Sequence, residues 1–203
     1  MTQPPPAVEK EKDKEIHWNS ALEALIRKKA EKCQALYVVH NHAGLWCHWW
    51  DTRLQIIAII FSTFSGAGAV GSQNLLPFPQ ATTLVGVISL LVGMLQTVIN
   101  RLGFATRAES HRIASLAYQK LYNHLDLQLS MPRSERHKAH YVTEMMKNET
   151  DRLAEIEMAI PERIKSDFHK KFGKLEDYSL PTILNGLDKV IVFNEDKQPP
   201  PGK

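Results

Sequence analysis

Histidines with helical spacing are the first residues that could carry chemistry in this chain. His137, His140 and Glu144 are three and four residues apart, so on a helix their side chains share one face. Imidazoles and a carboxylate are common zinc ligands, and this arrangement could hold a metal ion. Three such side chains on a polar helix are more often simply solvated, and His40 and His42, two residues apart, point to different faces. We therefore predict no metal site.

Glycines at 66, 68 and 71 match the G-x-G-x-x-G spacing of a dinucleotide-binding loop. Such a loop needs a helix that begins at the glycines and an acidic residue about 20 positions later. Here Pro77 would cut that helix short, and the next acidic residue is Glu109. The sequence also lacks phosphate-loop, serine-hydrolase and paired-cysteine zinc motifs. It predicts no catalytic residue and no cofactor, so we do not expect an enzyme.

The distribution of charge predicts a membrane protein. The 203 residues carry 25 Lys and Arg against 22 Asp and Glu, a net charge of +3 that does not favour a nucleic-acid partner. From Leu54 to Asn100, 47 consecutive residues include no charged residue and no histidine. A bilayer core about 30 Å thick needs about 20 helical residues, so this interval holds two spans. Pro77 and Pro79 mark the short loop between spans at 54–72 and 81–100.

The flanks of the uncharged interval support this prediction. The alternative, a buried hairpin in a soluble core, is less favoured because too little chain remains to cover two apolar helices. Arginines flank both spans and the loop is uncharged, which by the positive-inside rule puts both termini in the cytoplasm, or the equivalent side of a virion inner membrane. We predict that seven residues lie at the membrane interface: Trp46, Trp49, Trp50, Arg53, Arg101, Lys170 and Lys171.

Patterning outside the spans predicts an all-α fold, an integral membrane two-helix hairpin with a long antiparallel cytoplasmic helical bundle. Ser20 and Glu23 form a capping-box pattern at the start of the first helix. Cys33 and Cys47 would lie about 21 Å apart on one helix, too far for a disulfide. The predicted regions are a solvated tail at 1–15, an amphipathic juxtamembrane helix at 16–53, the spans within 54–100, a helical hairpin with a basic amphipathic end at 101–178, and an irregular tail at 179–203.

The 101–178 region is expected to leave the membrane and return to it. An outgoing helix continues from the second span to about residue 129, and a returning helix covers 133–160 before Pro161 breaks it. The basic segment after Pro161 fits either a helix lying on an anionic membrane or a core helix with a basic solvent face. The apolar run Val190 to Phe193 could dock on the bundle or on a partner.

Small and weakly polar residues form a stripe on each predicted span. The first span contributes Ala58, Ser62 and Gly66, and the second contributes Gly86, Ser89, Gly93, Thr97 and Asn100. Small residues at this spacing let membrane helices approach closely and hydrogen-bond to each other. The same stripe could instead line a wet path in an oligomer. Both interpretations remain open from the sequence.

The order of these parts resembles the SLATT family of two-transmembrane effector domains. The likeness covers about residues 18–172, with the small-residue end of the first span at 62–66 and the pattern Ala108, His111, Ala114, Tyr118 and Leu121 after the second. Members accompany nucleotide-signalling and sensor modules in bacterial conflict systems and occur in large DNA viruses. The resemblance implies a homo-oligomeric membrane pore. The alternative is a non-conducting anchor or scaffold, joined to a coat, capsid or sensor protein through the bundle or the C-terminal tail.

Overall fold

The computed structural model describes residues 16–71, 81–156, 158–173 and 178–186. Every element in these ranges is helical and none is a strand, which confirms the all-α class. The six helices in chain order are α1 (Ser20–Gly71), α2 (Ala81–Leu102), α3 (Phe104–Ser130), α4 (Ala139–Ile156), α5 (Glu162–Phe172) and α6 (Thr182–Asn185).

Helix α1 is 52 residues long, about 78 Å at 1.5 Å per residue. It joins the amphipathic segment to the first apolar segment without a break. Its first turn is capped by Asn19, whose Oδ1 accepts a hydrogen bond from the Leu22 backbone N–H at 2.8 Å. Glu23 does not complete a capping box with Ser20, because its carboxylate binds arginines from the α3–α4 turn. The glycines at 66, 68 and 71 lie within this helix.

Helix α3 packs antiparallel along the first half of α1. Trp46 contacts Phe104 near one end, and the Trp18 indole N–H donates to the His137 carbonyl at 2.8 Å near the other. Helix α4 then fills the groove between α1 and α3. The resulting core contains Ile26, Ala30, Cys33, Tyr118, Leu121, Leu125, Val142, Met146 and Leu153.

The predicted continuous helix from the second span to residue 129 is wrong at one position. Gly103 has φ 58° and ψ 39°, in the left-handed region, and it separates α2 from α3. The helical hydrogen bonds continue on both sides, from the Gly103 N–H to Ile99 and from the Arg107 N–H to the Gly103 carbonyl. The conformation is accessible because glycine has no Cβ.

The returning helix is shorter than predicted: α4 begins at Ala139 rather than Arg133 and ends at Ile156. Its 18 residues span about 27 Å. The chain before it is held in a turn by side chains. Arg136 donates to the carbonyls of Leu129 and Met131, and the Gln128 side chain accepts from the His137 N–H. These bonds take the place of the first turns of the helix predicted from residue 133.

Helix α5 is a core helix on the side of α1 that α3 leaves open. Its apolar face, with Ile164 and Phe168, joins Ala35, Val39 and Ala43 in a second buried cluster. Lys170 and Lys171 are exposed and belong to the last turn of α5, near the region where Phe172 approaches Val38. Phe172 and Trp46 both pack against this second cluster. The position of the two lysines at the membrane interface stays a prediction.

The chain after α5 is fastened to the bundle where it is described. The Tyr178 hydroxyl donates to the Glu31 carbonyl at 2.8 Å, and the Ser179 N–H donates to the Glu31 carboxylate at 3.0 Å. Leu180 is buried. Residues 179–186 therefore belong to the bundle and not to the irregular tail predicted at 179–203. The run Val190 to Phe193 lies outside the described residues.

Candidate functional site: the α1–α2 pair and its junction with the bundle

The second half of α1 forms an antiparallel pair with α2, built on small residues. The hydroxyl oxygens of Ser65 and Ser89 are 2.5 Å apart, and Ser89 also donates to the Val85 carbonyl at 2.9 Å. Ser65 is therefore the donor in the contact between the two serines. One turn further, a Cβ added to Gly68 would lie 3.0 Å from the Val85 side chain. Glycine at this position lets the two backbones approach.

The outward faces of the pair are apolar and exposed. Leu90 is 71 % exposed and Phe64 is 69 % exposed. The stretch Thr83–Ser130 includes a segment long and apolar enough to cross a membrane, and only 6 % of that segment is buried. A core helix of a soluble protein would be mostly buried. The exposed large apolar residues of the pair are Ile56, Ile57, Ile59, Ile60, Phe61, Phe64, Leu84, Val87, Leu90, Leu91, Met94, Val98 and Leu102.

Only part of the predicted small-residue stripe lies between α1 and α2. Ala58 is 4 % exposed, and Ser89 makes the serine contact. The other six positions are exposed: Ser62, Gly66, Gly86, Gly93, Thr97 and Asn100. At the three glycines, an added Cβ would have no atom within 4 Å. The mutual packing of both stripes that the sequence analysis considered is therefore limited to a few contacts.

The outward part of the α2 stripe has its own weakly polar character. Gly86, Gly93, Thr97 and Asn100 share one helix face by their spacing, and Ser89 stands at its edge. Thr97 donates to the Gly93 carbonyl at 2.9 Å. The Asn100 Oδ1 accepts from the Gln96 amide at 3.3 Å. The face therefore combines open glycines with polar groups bonded within their own helix.

Aromatic residues mark the junction between the pair and the bundle. The rings of Trp49 and Trp50 pack edge to face with their centroids 4.9 Å apart. The rings of Trp46 and Phe104 also pack edge to face, with centroids 6.0 Å apart. The Arg53 guanidinium lies 3.9 Å from the centroid of the Trp49 ring. The structure thus brings the predicted interface residues Trp46, Trp49, Trp50 and Arg53 together, and Arg101 is exposed in the last turn of α2.

A buried histidine pair lies in the bundle beyond this junction, and the sequence analysis did not identify it. His40 of α1 and His111 of α3 are 0 % and 1 % exposed, with their Nδ1 atoms 3.0 Å apart. The Tyr118 ring stacks on the His40 ring with centroids 5.7 Å apart. Burial, together with the charges of His40 and Arg107, lowers the pKa of His111 to about 4. The available signal was that each histidine occupies an apolar stripe of an antiparallel helix pair.

Close approach of the two backbones makes the histidine contact possible. A Cβ added to Gly44 would lie 3.4 Å from the Ala108 carbonyl oxygen and 3.5 Å from the His111 Cβ. The buried Ser115 hydroxyl donates to the Tyr37 carbonyl at 3.2 Å, which ties the helices together one turn away. Nearby, burial raises the pKa of the Cys47 thiol. Cys33 and Cys47 are both free and buried.

The candidate metal-binding residues do not converge. The His140 Nε2 lies 3.5 Å from a carboxylate oxygen of Glu144, whereas the His137 ring stacks on that of His124. Among the residues that the structure describes, no three histidine, cysteine or acidic side chains could hold a metal ion together. Comparison with protein-family models, with curated proteins and with solved structures gives no match to this chain.

Proposed function

We propose that the chain is a two-span membrane protein that self-associates through α2 and acts as a pore-type membrane effector. The observation that carries the first part is the exposed apolar surface on both α1 and α2. Burying one large apolar side chain is worth about 1.5–3 kcal/mol. Thirteen such residues, each about half exposed, would cost on the order of 10 kcal/mol or more in water, comparable with the whole stability of a domain. A bilayer removes that cost.

The topology follows from the charges at the ends of the pair. Arg53 precedes the apolar half of α1 and Arg101 ends that of α2, so both lie on one side of the membrane. Trp49 and Trp50 stand beside Arg53, where indole rings favour the boundary with water. The bundle of α1, α3, α4 and α5 is then cytoplasmic, or on the equivalent side of a virion inner membrane.

The outward stripe on α2 supports self-association. In lipid, helices associate by packing small residues and by hydrogen bonds between polar side chains. Gly86 and Gly93 leave the backbone of α2 open to another helix, and Asn100 brings an amide to the same face. A second copy supplies an identical face with matched polarity. In a ring of copies, one edge of the stripe can line an uncharged wet path while its glycines pack against the next copy, which agrees with the resemblance to the SLATT family.

The test compares Gly93→Leu with a bulky substitution elsewhere on α2. Gly93→Leu fills the stripe and should reduce both the oligomer, measured by native mass in nanodiscs, and the leakage of a small dye from reconstituted liposomes. Val87→Phe, which faces outward about 100° from Gly86, adds bulk off the stripe and should leave both unchanged. Liposomes that stay sealed with the wild-type protein would contradict the pore.

The second candidate is a non-conducting anchor for a coat, capsid or sensor protein. It is favoured by an apolar groove of about 460 Å³ between α3 and α4, where Ile113 and Leu116 are exposed. The C-terminal tail is the other candidate contact. Because Ser179 and Leu180 belong to the bundle, the informative truncation removes residues 187–203 alone. Loss of a bound shell protein with intact membrane insertion supports the anchor; electron microscopy showing a ring with an open axis supports the pore.

A further inference from the structure

The contact between His40 and His111 requires a particular number of protons. At an Nδ1–Nδ1 distance of 3.0 Å, one nitrogen must donate and the other must accept. Two neutral imidazoles satisfy this condition, and so does a pair that holds one extra proton on the outer nitrogens. If both rings are doubly protonated, two N–H groups and two positive charges face each other. The two charged rings then repel each other at a buried position.

We propose that the His40–His111 contact is a proton-operated latch that holds α3 against α1 at neutral pH and releases it in mild acid. Both rings are buried, they come from different helices, and they contact each other directly. This goes beyond the proposed membrane function, because it concerns how the bundle responds to its surroundings.

The groups around the pair favour release on protonation. From α3, Tyr118 stacks on His40, and the Arg107 cation disfavours a second positive charge on His111. From α1, Cys47 lies two turns beyond His40, and its thiol pKa is raised by burial. On the far side of α1, α5 contributes Ile164 and Phe168, which are apolar.

The direction of the pH effect follows from the two states of His111. In the latched state its pKa is about 4, and in a released, hydrated state it returns to the ordinary value of 6.5. The released state therefore binds more protons between these values, so a falling pH favours it, with a limiting slope of about tenfold per pH unit. Lowering the pH from 6.5 to 5.0 should raise the ratio of released to latched protein about 15-fold, because His111 of the released state is already half protonated at pH 6.5.

Release would change the position of α3 relative to α1, and through Gly103 the position of α2. Helix α1 is continuous from the bundle into the apolar pair, whereas the other connection passes through the left-handed glycine. A movement of α3 can thus alter the α1–α2 pair without breaking a helix. Protonation of buried histidines is a known type of switch between packed states.

The experiment measures the distance between α1 and α3 in the full-length protein in nanodiscs. Spin labels at the exposed positions Leu45 and Ile113, on a Cys33→Ala, Cys47→Ala background, report the separation at pH 7.5 and pH 5.0. We expect one short distance at pH 7.5 and a second, longer population at pH 5.0. A distance distribution that does not change between these two pH values overturns the proposal.

Two variants separate the latch from other acid effects. His40→Asn with His111→Asn keeps a donor and an acceptor near the Nδ1 positions but cannot take up a proton, so the longer population should be absent at pH 5.0. His124→Asn alters another α3 histidine, stacked on His137, and should keep the acid response. Opening in acid that persists in the double variant refutes the latch.

A measurement on the native sequence covers the case in which a variant does not fold. Histidine-selective ¹⁵N NMR of the unmodified protein should show a His111 imidazole that stays neutral at pH 5.0 in the latched population and becomes charged as α3 is released. A His111 imidazole that is charged at pH 5.0 while α3 stays against α1 would overturn the proposal.

Discussion

Replacement of Gly44 tests whether the bundle depends on the close approach of α1 and α3. A Cβ at this position meets the Ala108 carbonyl oxygen at 3.4 Å and the His111 Cβ at 3.5 Å, both ordinary contacts. Alanine is favoured over glycine within a helix by about 1 kcal/mol. Gly44→Ala should therefore leave the stability of the bundle unchanged or raise it slightly.

A larger side chain at the same position should have the opposite effect. The next carbon of leucine extends about 1.5 Å beyond Cβ, into the space of the α3 backbone. Overpacking of this kind costs about 1–3 kcal/mol. Since about 1.4 kcal/mol corresponds to a factor of ten, Gly44→Leu should accelerate hydrogen exchange of the α3 amides by roughly 5- to 150-fold. Exchange measured by mass spectrometry in nanodiscs resolves this range.

The matched control is Gly66→Leu, the same substitution on the same helix. A Cβ added to Gly66 has no atom within 4 Å, so leucine there should not change the exchange of α3. The reasoning is refuted if Gly44→Leu exchanges like the wild type, or if Gly66→Leu accelerates α3 as strongly. If Gly44→Ala accelerates α3 hydrogen exchange as much as Gly44→Leu does, then α1 and α3 approach more closely than the 3.4 Å contact to the Ala108 carbonyl oxygen implies.

Two further predictions concern the bundle. Hydrogen bonds from two arginines lower the pKa of Glu23 to about 2, so Glu23→Gln should cost about 1–2 kcal/mol at pH 7 in denaturant unfolding. That cost should shrink as the pH falls from 4.5 to 2, because a protonated Glu23 loses its ion pairs with the arginines just as glutamine does. The control is Glu109→Gln: Glu109 forms an exposed ion pair, so this substitution should have no detectable effect. Burial raises the pKa of Cys33 to about 11 and also raises that of Cys47, so both thiols should resist a maleimide until the protein is unfolded.

The sequence predicted the long elements well because their patterns are strong and local. The uncharged interval and the 3.6-residue apolar spacing predicted helix on both sides of Arg53, which α1 joins, and α2 from Ala81. The end of α3 near Ser130 also followed from its pattern. These features depend on the residues of one segment at a time, and neither a distant contact nor a partner helix was needed to recognise them.

The errors in the fold occurred where long-range contacts decide the local structure. Gly103 stands in a helical pattern, but its left-handed conformation separates α2 from α3, which both pack on α1. The residues before α4 had helical spacing, but Arg136 and Gln128 bind the backbone of the turn instead. A single sequence does not reveal which of two locally acceptable conformations tertiary contacts select.

The functional residues were predicted in part for the same reason. A stripe of small residues on α2 was evident from spacing, but its outward orientation depends on which face Ser89 turns to Ser65. His40 and His111 each stood in an apolar stripe, 71 residues apart in sequence. Pairing them requires the register of α1 against α3, which is set by the packing of the whole bundle.

The continuity of α1 and the interruption after α2 give the molecule a mechanical asymmetry. Helix α1 runs as one helix from Ser20 to Gly71 and contains no proline, the residue that kinks helices most strongly. The α2–α3 connection, in contrast, passes through one left-handed glycine. Any adjustment between the bundle and the apolar pair should therefore occur mainly at Gly103. The outward stripe lies on α2. The face that we propose for self-association therefore belongs to the helix that can move relative to the bundle at Gly103.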